Sequence, residues 1–241
     1  MHDEASVRRG DESKPSGAAG GGAHRSQTRG AERERGESVI AGGVPCRGRP
    51  VFVTPRLRVR PVAPGEGDLE LYRRVFGCAA AMRYVTGEPE TEEKIAARHE
   101  RYWRSWEEGG PFHVFAVEPL ADLATADGEA TLGAGRPIGD CMLVPIEAKG
   151  PEYELGYRLA EEAWGLGLAS EAARAVLPYG FGEMGLDELL AVARPENVAS
   201  HGVLHKLGFK RVGTTNRHYD RELELFRLTR NEARAVAQSS A

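Results

Sequence analysis

Apolar positions along the chain fall into short blocks whose period changes from two to about 3.6 and back. Val51-Phe52-Val53 and Leu57-Arg58-Val59-Arg60 flank Thr54-Pro55 and predict a short first strand. Asp68 reads as an N-cap for 69–76, where Leu69, Leu71, Tyr72, Val75 and Phe76 keep helical spacing. A second helix is predicted over 90–108, with Ile95, Tyr102, Trp103 and Trp106 on its apolar face and Gly109-Gly110-Pro111 as its stop. Two strand-like runs, 112–118 and 137–144, are separated by an Ala-, Gly-, Asp- and Thr-rich stretch that reads as a long mobile loop. A strand at 152–159, a Gly-containing turn and a helix over 168–182 follow. Pro178 lacks an N–H, so that helix is expected to kink or stop early. A strand at 189–193, a short helix at 199–207, a hairpin over 209–228 and a polar tail complete the pattern. This order predicts an α/β fold, a mixed sheet with helices on both faces.

Residues 1–50 break the pattern. They are rich in Gly, Arg, Glu and Ser and hold no aromatic residue, too little apolar surface to offset the entropy of ordering. The expectation is a disordered tail over 1–50, an ordered domain over 51–231 and a polar C-terminal tail over 232–241. The formal net charge of −4 gives no broad reason to expect nucleic acid or an anionic membrane as partner. No apolar stretch is long enough to span a bilayer, and no apolar run follows the N-terminal Met1-His2-Asp3-Glu4. Cys46, Cys78 and Cys141 are odd in number and widely spaced, so disulfide and zinc frameworks are not expected and a reducing cytoplasm is.

The junction Tyr157-Arg158-Leu159 through Trp164-Gly165-Leu166-Gly167-Leu168-Ala169 is strand, Gly-rich turn, helix start. A helix start offers free backbone N–H groups and the positive end of its dipole, and glycines let a phosphate approach them. No Gly-Lys-Ser/Thr and no GxGxxG is present there. Taken alone, the two glycines indicate only a phosphate-friendly turn.

The flanking residues add more. Glu154-Leu155-Gly156-Tyr157-Arg158-Leu159 followed by Trp164-Gly165-x-Gly167-x-Ala169-x-Glu171-Ala172 resembles the GNAT superfamily of N-acetyltransferases. More narrowly, it looks like the branch of Rim-type ribosomal-protein N-terminal acetyltransferases. Pro195-Glu196-Asn197-x-Ala199-Ser200 with Lys206-Leu207-Gly208-Phe209 is similar to that branch's second signature, and Thr54-Pro55-Arg56-Leu57-x-Val59-Arg60-Pro61 to its first strand. The resemblance covers about residues 51–231. It implies a GNAT fold, a mostly antiparallel sheet in which two parallel strands splay apart, and acetyl-CoA as co-substrate. It also implies that backbone groups of Gly165, Leu166, Gly167, Leu168 and Ala169, beside Trp164, hold the CoA pyrophosphate, while Tyr157, Arg158 and Leu159 pair with the pantetheine arm. Leu166 stands where this branch often has Lys, which removes a charge contact to phosphate. Leu204 stands where many members have a catalytic Tyr.

Acetyl transfer to an amine needs a base for the amine, a polarised carbonyl and a proton for the departing thiolate. Ser200 holds the position of the Rim-type serine and is the candidate acid, against a plain role at the helix start. Asn197 is expected to contact pantetheine or cap that helix. Glu154, on the strand implied to present the thioester, is the candidate base, against a solvated strand carboxylate. Glu171 reads as a structural acid at a helix start. His113, His201 and His205 lack partner motifs, and no metal is assigned. The acceptor is expected to be a primary amine on a protein N-terminus or small molecule. The alternatives are a silent acyl-CoA-binding module and a ribosome- or RNA-associated protein.

Overall fold

The computed structural model describes residues 38–40 and 49–239. Most of the expected disordered tail lies outside the described residues. Within it, however, Ser38–Ile40 forms β1, which pairs in parallel with Pro50–Val53 (β2). Order therefore begins before Val51.

The single first strand expected around Thr54-Pro55 is two strands. Pro55 cannot donate to a ladder, and the chain turns there so that β2 runs antiparallel to Leu57–Pro61 (β3). Helix α1 spans Glu66–Phe76 and starts earlier than expected, after Gly65. Asp68 is not its cap. Its carboxylate accepts 2.6 and 2.8 Å hydrogen bonds from the Arg60 guanidinium and a 2.8 Å bond from the Ala63 N–H. A short α2 (Ala79–Met82), not foreseen, precedes α3 (Glu92–Glu108). Thr91 caps α3, and Gly109 ends it at φ 69°, as the Gly-Gly-Pro stop anticipates.

Strand β4 (His113–Pro119) is buried on both faces from Val114 onward. Val114 and Ala116 pack with Leu71, Tyr72 and Phe76 of α1 and with Tyr102 of α3, while Phe115 and Val117 join the opposite core. The sheet thus has helices on both faces. The stretch expected to be a mobile loop folds instead as a small hairpin, β5 (Leu123–Ala124) and β6 (Thr131–Leu132). Thr125 holds it by accepting from the Ala130 N–H and donating to Asp127. Strands β7 (Gly139–Pro145) and β8 (Tyr153–Leu159) pair antiparallel over seven positions.

After β8 comes α4 (Leu168–Phe181), which buries Leu168, Ala172, Ala173, Val176 and Leu177 against the sheet. It continues through Pro178 to Phe181, so the early stop expected at that proline does not occur. Then follow β9 (Glu188–Ala193), α5 (Val198–Lys206), β10 (Lys210–Thr215) and β11 (Leu223–Thr229). The expected polar C-terminal tail is in fact helix α6 (Arg230–Ser239). Thr229 and Glu232 form a reciprocal capping box at its start, and Ala233 packs on the core. Among the described residues the main sheet has the order β1-β2-β3-β4-β7-β8-β9-β11-β10. Its members pair antiparallel except β1 with β2 and β8 with β9.

Candidate active site

The parallel pair β8–β9 makes contact at one register position, Glu154 opposite Leu190. Beyond it the strands diverge, because β8 stays in register with β7 and β9 with β11. The edge of β8 from Leu155 to Leu159 therefore has no strand beside it, and a cleft of about 940 Å³ runs along it. The cleft is lined by Glu154 through Leu159, Trp164, Gly165, Gly167, Leu168, Ala169, Asn197 and Ser200. Every predicted site residue except Leu166 borders it. The Leu166 side chain packs on the core, and its carbonyl accepts a 3.0 Å bond from Arg56.

At the open end, Gly165 and Gly167 sit at φ 77° and 76°, a region costly for residues with a Cβ. The first intrahelical bond of α4 joins the Glu171 N–H to Gly167 O. The amides of Leu168, Ala169 and Ser170 hence have no intrahelical acceptor. The Ser170 hydroxyl is buried without a hydrogen-bond partner and also borders the cleft. An orphaned hydroxyl, free amides and a glycine cradle together fit an incoming phosphate.

Glu171 holds this loop from behind. Its carboxylate accepts from Thr54 (2.6 Å), the Arg56 amide (3.0 Å) and the Arg56 Nε (2.7 Å). Burial alone would raise its pKa, but those hydrogen bonds win and hold it below the usual carboxylate range. That is the structural role expected of it. The Trp164 indole N–H donates to the Leu159 carbonyl at 2.9 Å, tying the loop to the end of β8.

Strand alternation sorts the rest. Leu155, Tyr157 and Leu159 point to the α4 side, and Glu154, Gly156 and Arg158 to the α1/α3 side. On the α4 side, Asn197 caps α5 by accepting the Ser200 N–H at 3.2 Å. The Tyr157 hydroxyl lies 2.9 Å from Ser200 Oγ and also donates to the Ser200 carbonyl at 3.1 Å. Burial raises the Tyr157 pKa, with the Ser200 bond opposing in part, so the phenol stays protonated.

On the other side Glu154 is buried, 6% exposed, at the closed end of the splay. Burial pushes its pKa up to about 7, although the Tyr219 hydroxyl and Arg158 oppose this. Tyr219 lies in the β10–β11 turn at φ 60° and donates its O–H to Glu154. Arg158 forms a bidentate pair with Asp140 at 2.9 and 2.7 Å and lies 4.6 Å above the Phe76 ring. Tyr102 also borders the cleft. Burial would raise its pKa, but the Arg158 and Arg98 guanidiniums reverse this and lower it.

Sequence reasoning missed Tyr219, Tyr102 and Asp140, which sit on elements distant in sequence and carry no local motif. The two tryptophans expected on the apolar face of α3 are packing residues: Trp106 donates to the Val114 carbonyl at 2.6 Å and packs on Phe115, and Trp103 packs beside α1. His113 is likewise structural. It lies 2.9 Å from the Tyr179 hydroxyl, and burial lowers its pKa to about 4.

A splayed parallel pair beside a Gly-rich helix start defines an acyl-CoA-type transferase fold. The chain matches the acetyltransferase (GNAT) domain model over residues 56–210, and it belongs to that family, whose members use acetyl-CoA. It is similar to an uncharacterized protein, YkkB, of Bacillus subtilis: 32% identical over 158 residues, 65% of this chain and 83% of that one. It also resembles an uncharacterized N-acetyltransferase, YnaD, of the same organism, 44% identical over 61 residues, 25% of this chain and 36% of that protein. A solved structure of RimL, a ribosomal L7/L12 α-N-protein acetyltransferase in complex with coenzyme A, shares the fold with a TM-score of 0.56. It is 14% identical over 73% of this chain and 96% of its own.

Proposed function

We propose that the chain transfers acetyl from acetyl-CoA directly to a primary amine, on a protein N-terminus or a small molecule. The observation that carries this is Glu154, a buried carboxyl with a pKa near neutrality, in the same cleft as the Gly165–Ala169 helix start. Bound acetyl-CoA supplies the acetyl group and the leaving thiolate. Gly165, Gly167 and the amides of Leu168 and Ala169 would hold its pyrophosphate, with the Ser170 hydroxyl as a further donor. The open edge of β8 at Tyr157, Arg158 and Leu159 would pair with the pantetheine arm, and an amide there polarises the carbonyl. Asn197 keeps α5 aligned along this arm by capping it.

Glu154 takes a proton from the incoming ammonium. A lysine-type amine has a pKa of about 10.4 and an α-amine about 7.8, so a base is needed more for the former. Ser200 gives a proton to the departing sulfur and regains one from solvent, and the Tyr157 hydroxyl, 2.9 Å from Ser200 Oγ, orients it. Direct transfer is favoured because neither described cysteine lines the cleft: Cys141 is buried with its pKa raised by burial, and the Cys78 thiol, just before α2, donates to Glu161 at 3.7 Å. The signatures at Trp164–Ala169 and Asn197–Phe209 favour the Rim-type branch. None of the described helices is long and apolar enough to cross a membrane. We place the reaction in a reducing cytoplasm.

The test is incubation with acetyl-CoA and a broad amine panel, following free CoA and the acetylated product by mass. Amine-dependent release is expected. Tight acetyl-CoA binding with no product on any amine, beside an active control, would favour a silent binding module instead.

A further inference from the structure

Two guanidiniums bordering the cleft, Arg194 and Arg101, have neither a carboxylate nor a hydrogen-bond partner among the described residues, whereas Arg221, also without a carboxylate, donates to the Val85 and Tyr219 carbonyls. The register of β9 puts Leu190 opposite Glu154, and Leu189, Ala191 and Ala193 belong to the α4-side core. Arg194, next in the alternation, therefore lies on the Glu154 side and borders the cleft. Its Nε is buried with no hydrogen-bond partner, and the chain at Gly87 passes over it, so that a Cβ there would lie 4.0 Å from its Nη2. Arg101 borders the same cavity from α3. Its guanidinium lies 5.0 Å from the Phe112 ring centre and 5.2 Å from that of Tyr102.

Neither has a carboxylate partner among the described residues. Their neighbours differ. Arg98 is paired with Glu90, and Arg158 with Asp140. The acids bordering the cavity are also engaged, Glu154 by the Tyr219 hydroxyl and Glu147 by the Tyr219 amide. A guanidinium keeps its charge at any working pH and offers a planar fork that suits carboxylate or phosphate. Arg194 is half-buried, and a guanidinium left unpaired there is costly unless a ligand supplies the counter-charge; Arg101 is exposed, so water solvates its charge and it adds attraction at the rim. The wall also limits size. Arg221, in the β10–β11 turn, donates at 2.8 Å to the Val85 carbonyl and so joins that turn to the segment after α2.

We propose that the acceptor is a small amine bearing an anionic group, carboxylate or phosphate, which Arg194 and Arg101 hold while the nitrogen faces Glu154. This rests on the acetyl-transfer reading above.

The test compares acceptors that differ only in the anion: amino acids against their carboxamides, and an aminoalkyl phosphate against the matching amino alcohol. The anionic member of at least one pair is expected to have a kcat/KM higher by about tenfold to a hundredfold, the scale of one charge-assisted hydrogen bond. The responding pair identifies the anion. Arg194→Ala and Arg101→Ala should each remove most of that preference by raising KM, with neutral amines and the acetyl-CoA dissociation constant unchanged. Equal kcat/KM within every pair would overturn the inference while leaving acetyl transfer intact. So would weaker acetyl-CoA binding as the main effect of Arg194→Ala, or a peptide N-terminus preferred over every small acid. If no amine is acetylated, the CoA-loaded protein is titrated calorimetrically with succinate and with inorganic phosphate. Binding lost in Arg194→Ala then supports the anion site although the transfer reading has failed, and absence of binding overturns both.

Discussion

Tyr219→Phe removes the hydroxyl beside the proposed base. That hydroxyl donates to Glu154 and accepts the Glu147 N–H at 3.3 Å, so the exposed Glu147 amide loses a weak bond as well, while the ring and the Tyr219 amide bond to the Glu147 carboxylate stay in place. A hydrogen bond to a charged group contributes about 1.5–3 kcal/mol, and one pKa unit is about 1.4 kcal/mol. The bond favours the ionised carboxylate, so its loss moves the Glu154 pKa upward by roughly 1–2 units, from about 7 toward about 8–9. A base must be ionised to act. At pH 7 the active fraction then falls from about one half to roughly 1–10%, which predicts a loss of about 5- to 50-fold in kcat/KM. The loss should shrink as pH rises past 9. The assay is the pH profile of kcat/KM for variant and parent on the same acceptor, so that the amine's own titration cancels. A midpoint that does not move, or an equal loss at every pH, would refute Glu154 as the base.

Two further outcomes test the donor side. Gly167→Val places a β-branched residue at φ 76°, at a cost of about 1–2 kcal/mol in stability. A Cβ there would meet only Arg56 at 3.9 Å within the protein, so its main effect falls on the ligand: the acetyl-CoA dissociation constant should rise more than tenfold by calorimetry. Unchanged affinity would remove the loop from the cofactor site. Ser200→Ala keeps the backbone N–H that Asn197 caps. It should lower kcat by about a hundredfold, as expected for loss of a general acid, with acetyl-CoA affinity within about twofold. Single-turnover kinetics with unchanged kcat would leave Ser200 a helix-start residue only.

What local chemistry decides was legible along the chain. Gly165 and Gly167 mark the turn because only glycine adopts those angles freely, and Gly109 marks the end of α3 for the same reason. The short apolar run at 114–117 marks a strand buried on both faces, and the β-favouring run at 153–159 marks another. Errors arose where a local signal had a distant partner. Asp68 looks like a cap because Asp favours that position, yet Arg60 takes its carboxylate. The stretch from 232 looks like a tail because it is polar, although Thr229 and Glu232 spell a capping box that could have revealed α6.

By itself, the sequence determined the order of the elements from β7 to β11, the Gly-rich helix start and the family signatures, since these depend on neighbours within a few residues. Only the tertiary structure decided the acceptor side. The cleft exists because β8 and β9 are each held by their outer partners and part after Glu154. Glu154 titrates near neutrality because folding buries it and brings Tyr219 to it from 65 residues away. Burial and charge pairing arise only when distant segments meet, and for that reason no pattern within a single segment encodes them.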